Sequence, residues 1–348
     1  MRRLGLAFAC AVSLTLACGR SEQSEDTAPA ANEDTPEATL PWAVPDDFEP
    51  VPIPDDNPMT VAKVELGRKL YFDKRLSGDG QLACYSCHVC ENGLTDGRPV
   101  AIGAFGKNIG RSAPTMWNVG YHDSLYWDGR APSLEKQALG AWGGGNMGAK
   151  PDSIVASLHG DGEYAAAFRA VFGGEMTPPR VTQALAAYMR TILCTDTAYD
   201  RFERGDTHAL SAAAQRGWEI FRGKAACGTC HAGALFSDLL YHNVGIGLDR
   251  NPPDPGRFKV TKHESARSAF KTPTLRDIAR SAPYFHDGSV ATLEEAVDLM
   301  ASGGIDNPHL DPLLRDRQLT DAEKSDLVEF LKGLTCPCDE DALSLSPR

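Results

Sequence analysis

Two stretches of this sequence carry the same five-residue chemistry: Cys84-Tyr85-Ser86-Cys87-His88 and Cys227-Gly228-Thr229-Cys230-His231. Two cysteines with two residues between them, followed at once by histidine, form the pattern that attaches haem c. The spacing has a chemical reason. Both thiols add across the vinyl groups of one haem, which holds the next histidine under the iron as an axial ligand. A zinc site would need a further ligand pair at each motif, and a thioredoxin-like pair would need a βαβ setting that the flanking residues lack. Two covalently bound haems are therefore expected, with Cys84, Cys87 and His88 on one and Cys227, Cys230 and His231 on the other.

Ten cysteines occur in all. Cys10 and Cys18 fall in the first residues, leaving Cys90, Cys194, Cys336 and Cys338. In an oxidising compartment these four make two disulfides, with three pairings open to them. Cys90 follows His88 by two positions, so a part in the first haem pocket is the alternative for it.

The surrounding sequence must position these groups, and its pattern is that of a duplicated helical body. Val64 to Phe72 and Gln215 to Phe221 each read as an amphipathic helix before a haem motif. Downstream, Pro114-Thr115 to Asp128-Gly129 matches Pro273-Thr274 to Asp287-Gly288 without a gap. Thr292 with Glu295, and Thr320 with Glu323, are capping-box starts. Ala184, Leu185, Tyr188, Met189 and Ile192 have helical spacing, and Gly143 to Gly145 and Asn251-Pro252-Pro253 read as loops. The fold class expected is mainly α, two tandem cytochrome c-like domains over 51–204 and 205–338, with a tail at 339–348.

Arg2 and Arg3 precede an apolar run from Leu4 to Ala17 that is too short to span a bilayer, as in an export signal over 1–18. The run ends in Thr15-Leu16-Ala17-Cys18, which resembles a bacterial lipobox, although Thr15 is not the favoured residue there. A periplasmic lipoprotein with a membrane anchor is the expectation, and a plain cleaved signal peptide the alternative. Residues 19–50 are rich in Ser, Glu, Asp, Ala, Thr and Pro and read as a flexible tether. The formal charge is −12, and −14 without Arg2 and Arg3. That balance, with no basic tract, excludes nucleic acid as a partner.

A haem with two protein ligands carries electrons, whereas one with an open face binds peroxide or oxygen. Sixth ligands therefore decide function. Met300 shares a helix face with Leu293, Ala296 and Val297; His286 is its rival, read instead as support for the pocket or the domain interface. For the first haem, His122, Met116 and Met147 are within reach, but none stands out. Val100 to Ile109 contains no histidine or methionine, which points to an accessible first iron.

The order of motifs resembles that of the bacterial dihaem cytochrome c peroxidases, including their relatives that mature methylamine dehydrogenase. The resemblance covers most of residues 58–335. It rests on Leu66 to Asp73, Arg75-Leu76-Ser77-Gly78-Asp79-Gly80, Trp127-Asp128-Gly129-Arg130-Ala131 and Ala282-Pro283-Tyr284-Phe285-His286-Asp287-Gly288. It implies that His231 and Met300 hold a high-potential, electron-accepting haem. Met300 lies 14 positions after His286, where the peroxidases carry methionine and the maturation enzymes tyrosine. Trp127 matches the tryptophan between the haems, Gln137 a distal polar residue, and Ser112, Ser281 and Pro283 the ligand positions of a calcium ion. Ala104 stands where the peroxidases often carry a haem-capping histidine. Asn146 or Met147 stands where they carry a distal glutamate. The activity implied is hydrogen peroxide reduction with electrons from a small cytochrome c or a cupredoxin, in a chain that often forms a homodimer. The alternatives are a peroxide-dependent oxidase acting on a partner protein and a non-enzymatic electron carrier.

Overall fold

The first helix, α1 (Val61–Phe72), begins because the Thr60 hydroxyl accepts the Lys63 N–H at 3.2 Å. Such a cap stabilises a helix by about 1 kcal/mol. The same device, a Ser, Thr or Asp side chain, starts α2 (Leu134–Gly143), α4 (Gly162–Phe172), α5 (Pro178–Met189), α6 (Ala198–Glu203) and α7 (Ala212–Arg222). Between α2 and α4, α3 (Pro151–Leu158) starts on a proline instead. After α7 come a short α8 (Phe258–Thr261), α9 (Leu293–Ala301) and α10 (Asp321–Lys332). The capping boxes at Thr292–Glu295 and Thr320–Glu323 are both formed. The only sheet among the described residues pairs β1 (Tyr241–His242) with β2 (Phe270–Lys271), antiparallel. This computed structural model describes Leu40 and residues 42–338. The expected signal sequence, most of the tether and the tail lie outside them.

Each half is built on a helix crossing that a glycine permits. In the first, α1 lies on α5, and a Cβ on Gly67 would sit 1.9 Å from the Ala184 carbonyl oxygen. In the second, α7 lies on α10, and a Cβ on Gly217 would sit 2.0 Å from that of Asp326. Backbone cannot yield to a methyl group at that range. Gly67→Ala and Gly217→Ala are each expected to destabilise by about 1–3 kcal/mol, read as a lower thermal midpoint of the holoprotein. Val64, Leu70, Tyr71, Phe168 and Val181 fill the first core; Phe221, Phe236, Phe330, Leu331 and Leu334 fill the second.

The gap-free pair of segments turns in the same way. Asn118 and Asp277, Tyr126 and Phe285, and Gly129 and Gly288 all have positive φ, between 57° and 69°. Short 3₁₀ turns follow at Val119–Tyr121 and Ile278–Arg280. Leu125 bridges Ala131 as Tyr284 bridges Val290.

The packing departs from the expected boundaries in three places. Residues 42–50 are not all tether: Phe48 is buried, the Arg276 guanidinium lies over its ring at 4.9 Å, and Asp47 pairs with Arg204. One aromatic in a polar stretch had found a cation to cover it. Helix α6, expected in the first half, packs with the second, where Tyr199 meets Trp218, Phe236 and Phe330. Cys336, expected in the second half, is buried in the first core.

Disulfides explain that last placement. Cys90 joins Cys338 and Cys194 joins Cys336, so the segment Cys336-Pro337-Cys338 is fastened across the junction. Polar contacts finish the interface. Trp117 Nε1 donates to Asp277 Oδ2 at 2.8 Å, and Arg111 reaches Asp254 at 2.7 Å and Asp128 at 2.9 Å. Arg276 and Asp200 form a buried two-bond pair, both at 2.8 Å.

Candidate haem sites

Cys84 opens a 3₁₀ turn, Cys84–Ser86, that brings Cys87 and His88 round beneath one cavity. Ser86 closes the turn by accepting the Ala83 N–H at 3.0 Å. His88 Nδ1 lies 3.0 Å from the Leu94 carbonyl, to which it donates. That bond places the proton on Nδ1 and leaves Nε2 with a free lone pair. Metal-binding histidines are commonly oriented this way, by a backbone carbonyl on the other nitrogen. Burial holds the His88 pKa below its usual value, which keeps the ring neutral and able to ligate. Burial likewise pushes the Cys84 thiol up to about 12 and raises Cys87, so both stay thiols.

The cavity above them has a volume of about 680 Å³. One face of α2 also lines it: Leu134, Gln137, Ala138, Ala141 and Trp142, at helical spacing. Trp142 is fixed by donating Nε1–H to the Leu76 carbonyl at 2.8 Å. Asn146 and Met147 line the same space, the latter with its side chain in the core. Ala104 is buried, and its N–H donates to the Asn146 carbonyl at 3.0 Å. The two loops are thus tied together by backbone. The carboxylates on the wall, Asp128 and Asp254, are both engaged by Arg111.

Of the sixth-ligand candidates here, Met116 Sδ lies 3.5 Å from the Tyr71 hydroxyl, which donates to it. His122 Nδ1 lies 3.0 Å from Lys271 Nζ. Trp127 lines the cavity too. Its Nε1 donates to the Ser112 carbonyl at 3.0 Å and its own carbonyl accepts the Lys271 N–H at 2.8 Å. It is therefore clamped between the halves.

In the second half, Cys227–Thr229 forms the matching 3₁₀ turn, and His231 Nδ1 lies 2.9 Å from the Phe236 carbonyl. Again burial lowers the histidine pKa, and it pushes Cys227 and Cys230 up to about 11. Met300 is half-buried near the end of α9, while Leu293, Ala296 and Val297 on that helix pack into the core that holds Phe236. The residues of both motifs fit covalent haem: paired thiols, and a neutral histidine with a free nitrogen.

His286 is elsewhere. It is buried, stacked on Phe270 with ring centres 3.6 Å apart, and its carbonyl accepts the Ser112 N–H at 2.8 Å. Ser112 Oγ donates to the Phe285 carbonyl and Ser281 Oγ to the Ile278 carbonyl. Pro283 follows a cis peptide bond in the same loop. Both hydroxyl protons are thus committed, and none of the three residues offers a carboxylate. Among the described residues, one His/Cys/Asp/Glu group is close enough to hold a metal: Cys230, Asp238 and His242. Cys230 belongs to a haem motif, and both His242 nitrogens already meet carboxylates, Asp311 at 2.6 Å and Asp238 at 3.0 Å.

Comparison with known proteins agrees with this geometry. Residues 61–208 match the family model described as di-haem cytochrome c peroxidase. Cytochrome-c peroxidase IdrP1 of Denitromonas iodatirespirans is 38% identical over 82% of this chain and 85% of its own length. The methylamine utilization protein MauG of Methylorubrum extorquens is 37% identical over 82% of each. A crystal structure of a MauG-like protein associated with microbial copper homeostasis superposes with a TM-score of 0.78. It is 36% identical, covering 87% of this chain and 97% of that one. The chain belongs to the di-haem cytochrome c peroxidase family. It is an enzyme of the cytochrome-c peroxidase class, and its cofactors are two haems.

Proposed function

We infer that this enzyme reduces hydrogen peroxide at the His88 site, with electrons from a small cytochrome c or cupredoxin received at the His231 site. The observation that carries the reading is the cavity over Cys84, Cys87 and His88. It is roomy, faced by Gln137, and bordered at Ala101 and Ile109 by a loop that contains no histidine or methionine. A haem there would supply an open coordination position for peroxide, whereas one with two protein ligands would carry electrons.

The chain's own residues divide the remaining work. His88 would ligate from one side, kept neutral by burial and oriented by the Leu94 carbonyl. Gln137 presents an amide that can both donate and accept a hydrogen bond. Trp127, clamped by Ser112 and Lys271, keeps a fixed aromatic ring between the halves. His231 and Met300 would hold the electron-accepting haem, and Met300 favours the peroxidase branch over the maturation enzymes. The matched turns in the two halves support a tandem duplication of one haem unit. The two disulfides support work in an oxidising compartment, outside the cytoplasm.

A second reading has an observation of its own. The distal wall carries Asn146 and Met147 where an acid–base carboxylate would serve, and neither can move a proton near neutral pH. A site weak in peroxide turnover suits an oxidase that acts on a partner protein's side chain. Spectra of the oxidised and half-reduced protein, with steady-state turnover, separate the readings. The expected result is a high-spin His88 haem and sustained peroxide turnover with reduced cytochrome c alone. Peroxide consumption only when a protein substrate is added would transfer the assignment to the oxidase. A six-coordinate, peroxide-inert first haem in every redox state would overturn both.

A further inference from the structure

The cavity at His88 lacks a free carboxylate, yet its wall carries a buried basic pair that the reading above does not use. His122 and Lys271 both line it, and they come from different halves of the chain. Lys271 is buried, extends from β2, and directs its ammonium to two acceptors. One is the Ser124 carbonyl at 2.6 Å; the other is His122 Nδ1 at 3.0 Å. An ammonium has only donors, so Nδ1 must accept and the ring's own proton is placed on Nε2. That Nε2 is buried and has no hydrogen-bond partner among the described residues. A buried donor left unpaired is costly, and such groups mark places where a ligand or water supplies the acceptor.

The imidazole also lines a second cavity of about 480 Å³, whose wall carries Asp56, Asn57, Glu135, Lys136 and Arg190. Burial, and then the Lys271 charge, push His122 down to about 3, so the ring is neutral. Burial brings Lys271 down to about 8, within reach of giving up its proton near neutral pH.

We propose that His122, oriented by Lys271, is the proton donor of the His88 cavity, in place of the missing glutamate. The proposal rests on the peroxide reading of that site. Reduction of one peroxide to two waters takes in two electrons, which the redox partner supplies, and two protons. For each proton delivered, the His122 Nε2–H bond breaks toward the departing peroxide oxygen. Nδ1 takes a proton from Lys271, which is left neutral. The ring then returns to its Nε2–H form as Nδ1 gives that proton back to the Lys271 amine and Nε2 takes one from water. In this step His122 Nε2, covered in this structure, is uncovered to meet the reacting atoms; Lys271 is a positioning residue that also stores the proton.

Fluoride is the probe, because it binds an open ferric haem and is held there by a hydrogen-bond donor without any turnover. Oxidised holoprotein is titrated with fluoride and followed by its visible spectrum. His122→Leu is expected to weaken fluoride binding about tenfold or more, the loss typical of a hydrogen bond to a charged group. Lys271→Met is expected to weaken it too, and Lys271→Arg to restore it. His122→Gln keeps an N–H donor but no relay, so it should hold fluoride and lose peroxide turnover. Unchanged fluoride affinity in both His122→Leu and Lys271→Met would overturn the proposal while leaving the open site intact. So would a His122→Gln enzyme with full turnover. Wild-type protein that takes up no fluoride would mean a closed first haem, and the peroxide reading would fall with the proposal. A His122→Leu spectrum turning high-spin before fluoride is added would instead make His122 the closing ligand, with the same consequence.

Discussion

Asp200→Ala is expected to lower the stability of the holoprotein by about 3–5 kcal/mol, because it leaves a buried guanidinium without its counter-charge. The Arg276 side chain has no exposure, and that of Asp200 has 4%. Two parallel bonds of 2.8 Å join them, and Arg276 Nε donates to the Ala234 carbonyl at 2.7 Å. Arg276 is also wedged against the Phe48 and Phe236 rings, so it cannot swing out to water without uncovering both. Asp200 does a second job: it accepts the Thr197 N–H and hydroxyl, which closes the capping box of α6. Arg276→Met should cost less than Asp200→Ala, since Thr197 still partners the carboxylate. Denaturant midpoints at constant slope measure both.

The pH dependence of this pair has a definite sign. Burial alone would raise the Asp200 pKa, but the Arg276 bonds and charge, with Thr197, outweigh it and hold it below the usual carboxylate value. A depressed folded-state value means the stabilisation is complete above the ordinary carboxylate range. It is lost as pH falls through that depressed value. Wild-type protein should therefore lose stability on acidification more steeply than Asp200→Ala does.

The second large effect falls on electron transfer. Met300→Ala is expected to lower the potential of one haem by on the order of 0.1 V, part of the roughly 0.8 V that axial ligands span. At about 59 mV per decade for one electron, the readiness to accept an electron falls roughly fiftyfold. Turnover with a reduced protein donor should drop accordingly, while fluoride binding at the His88 site stays unchanged. Spectroelectrochemical titration of both haems is the measurement. A variant with unaltered spectrum and potentials would remove Met300 as a ligand and, with it, the distinction between the two haems.

What could be read in the sequence was what is local. Cys84 to His88 and Cys227 to His231 announce themselves within five residues, and each capping box within four, because the chemistry is contained in the spacing. Helix pairs such as α1 and α5 were visible as apolar faces, though nothing in the pattern said which faces meet. The pairs that join distant positions left no such trace. Arg276 and Asp200 are 76 positions apart, and Lys271 and His122 are 149 apart; neither lies in a periodic stretch. Nothing in the sequence singles out Lys271, which β2 places inside. His122 stands in the sequence only as one of three histidine and methionine residues within reach of the first haem. The end of the tether is hidden for a related reason: Phe48 alone gives no pattern, yet it is buried.

The long reach of the disulfides bears on how the molecule is made. Cys90 and Cys338 are 248 positions apart. At a synthesis rate of about 5–20 residues per second, Cys90 waits roughly 12–50 s for its partner to exist. Through that interval Cys84, Cys87 and Cys90 emerge together, each three positions from the next, as three thiols competing for one another. Haem must claim two of them before an oxidant joins any pair. The pairing seen in the finished protein is thus a matter of order of assembly, and a cell that oxidises thiols ahead of haem delivery would make the chain without making the enzyme.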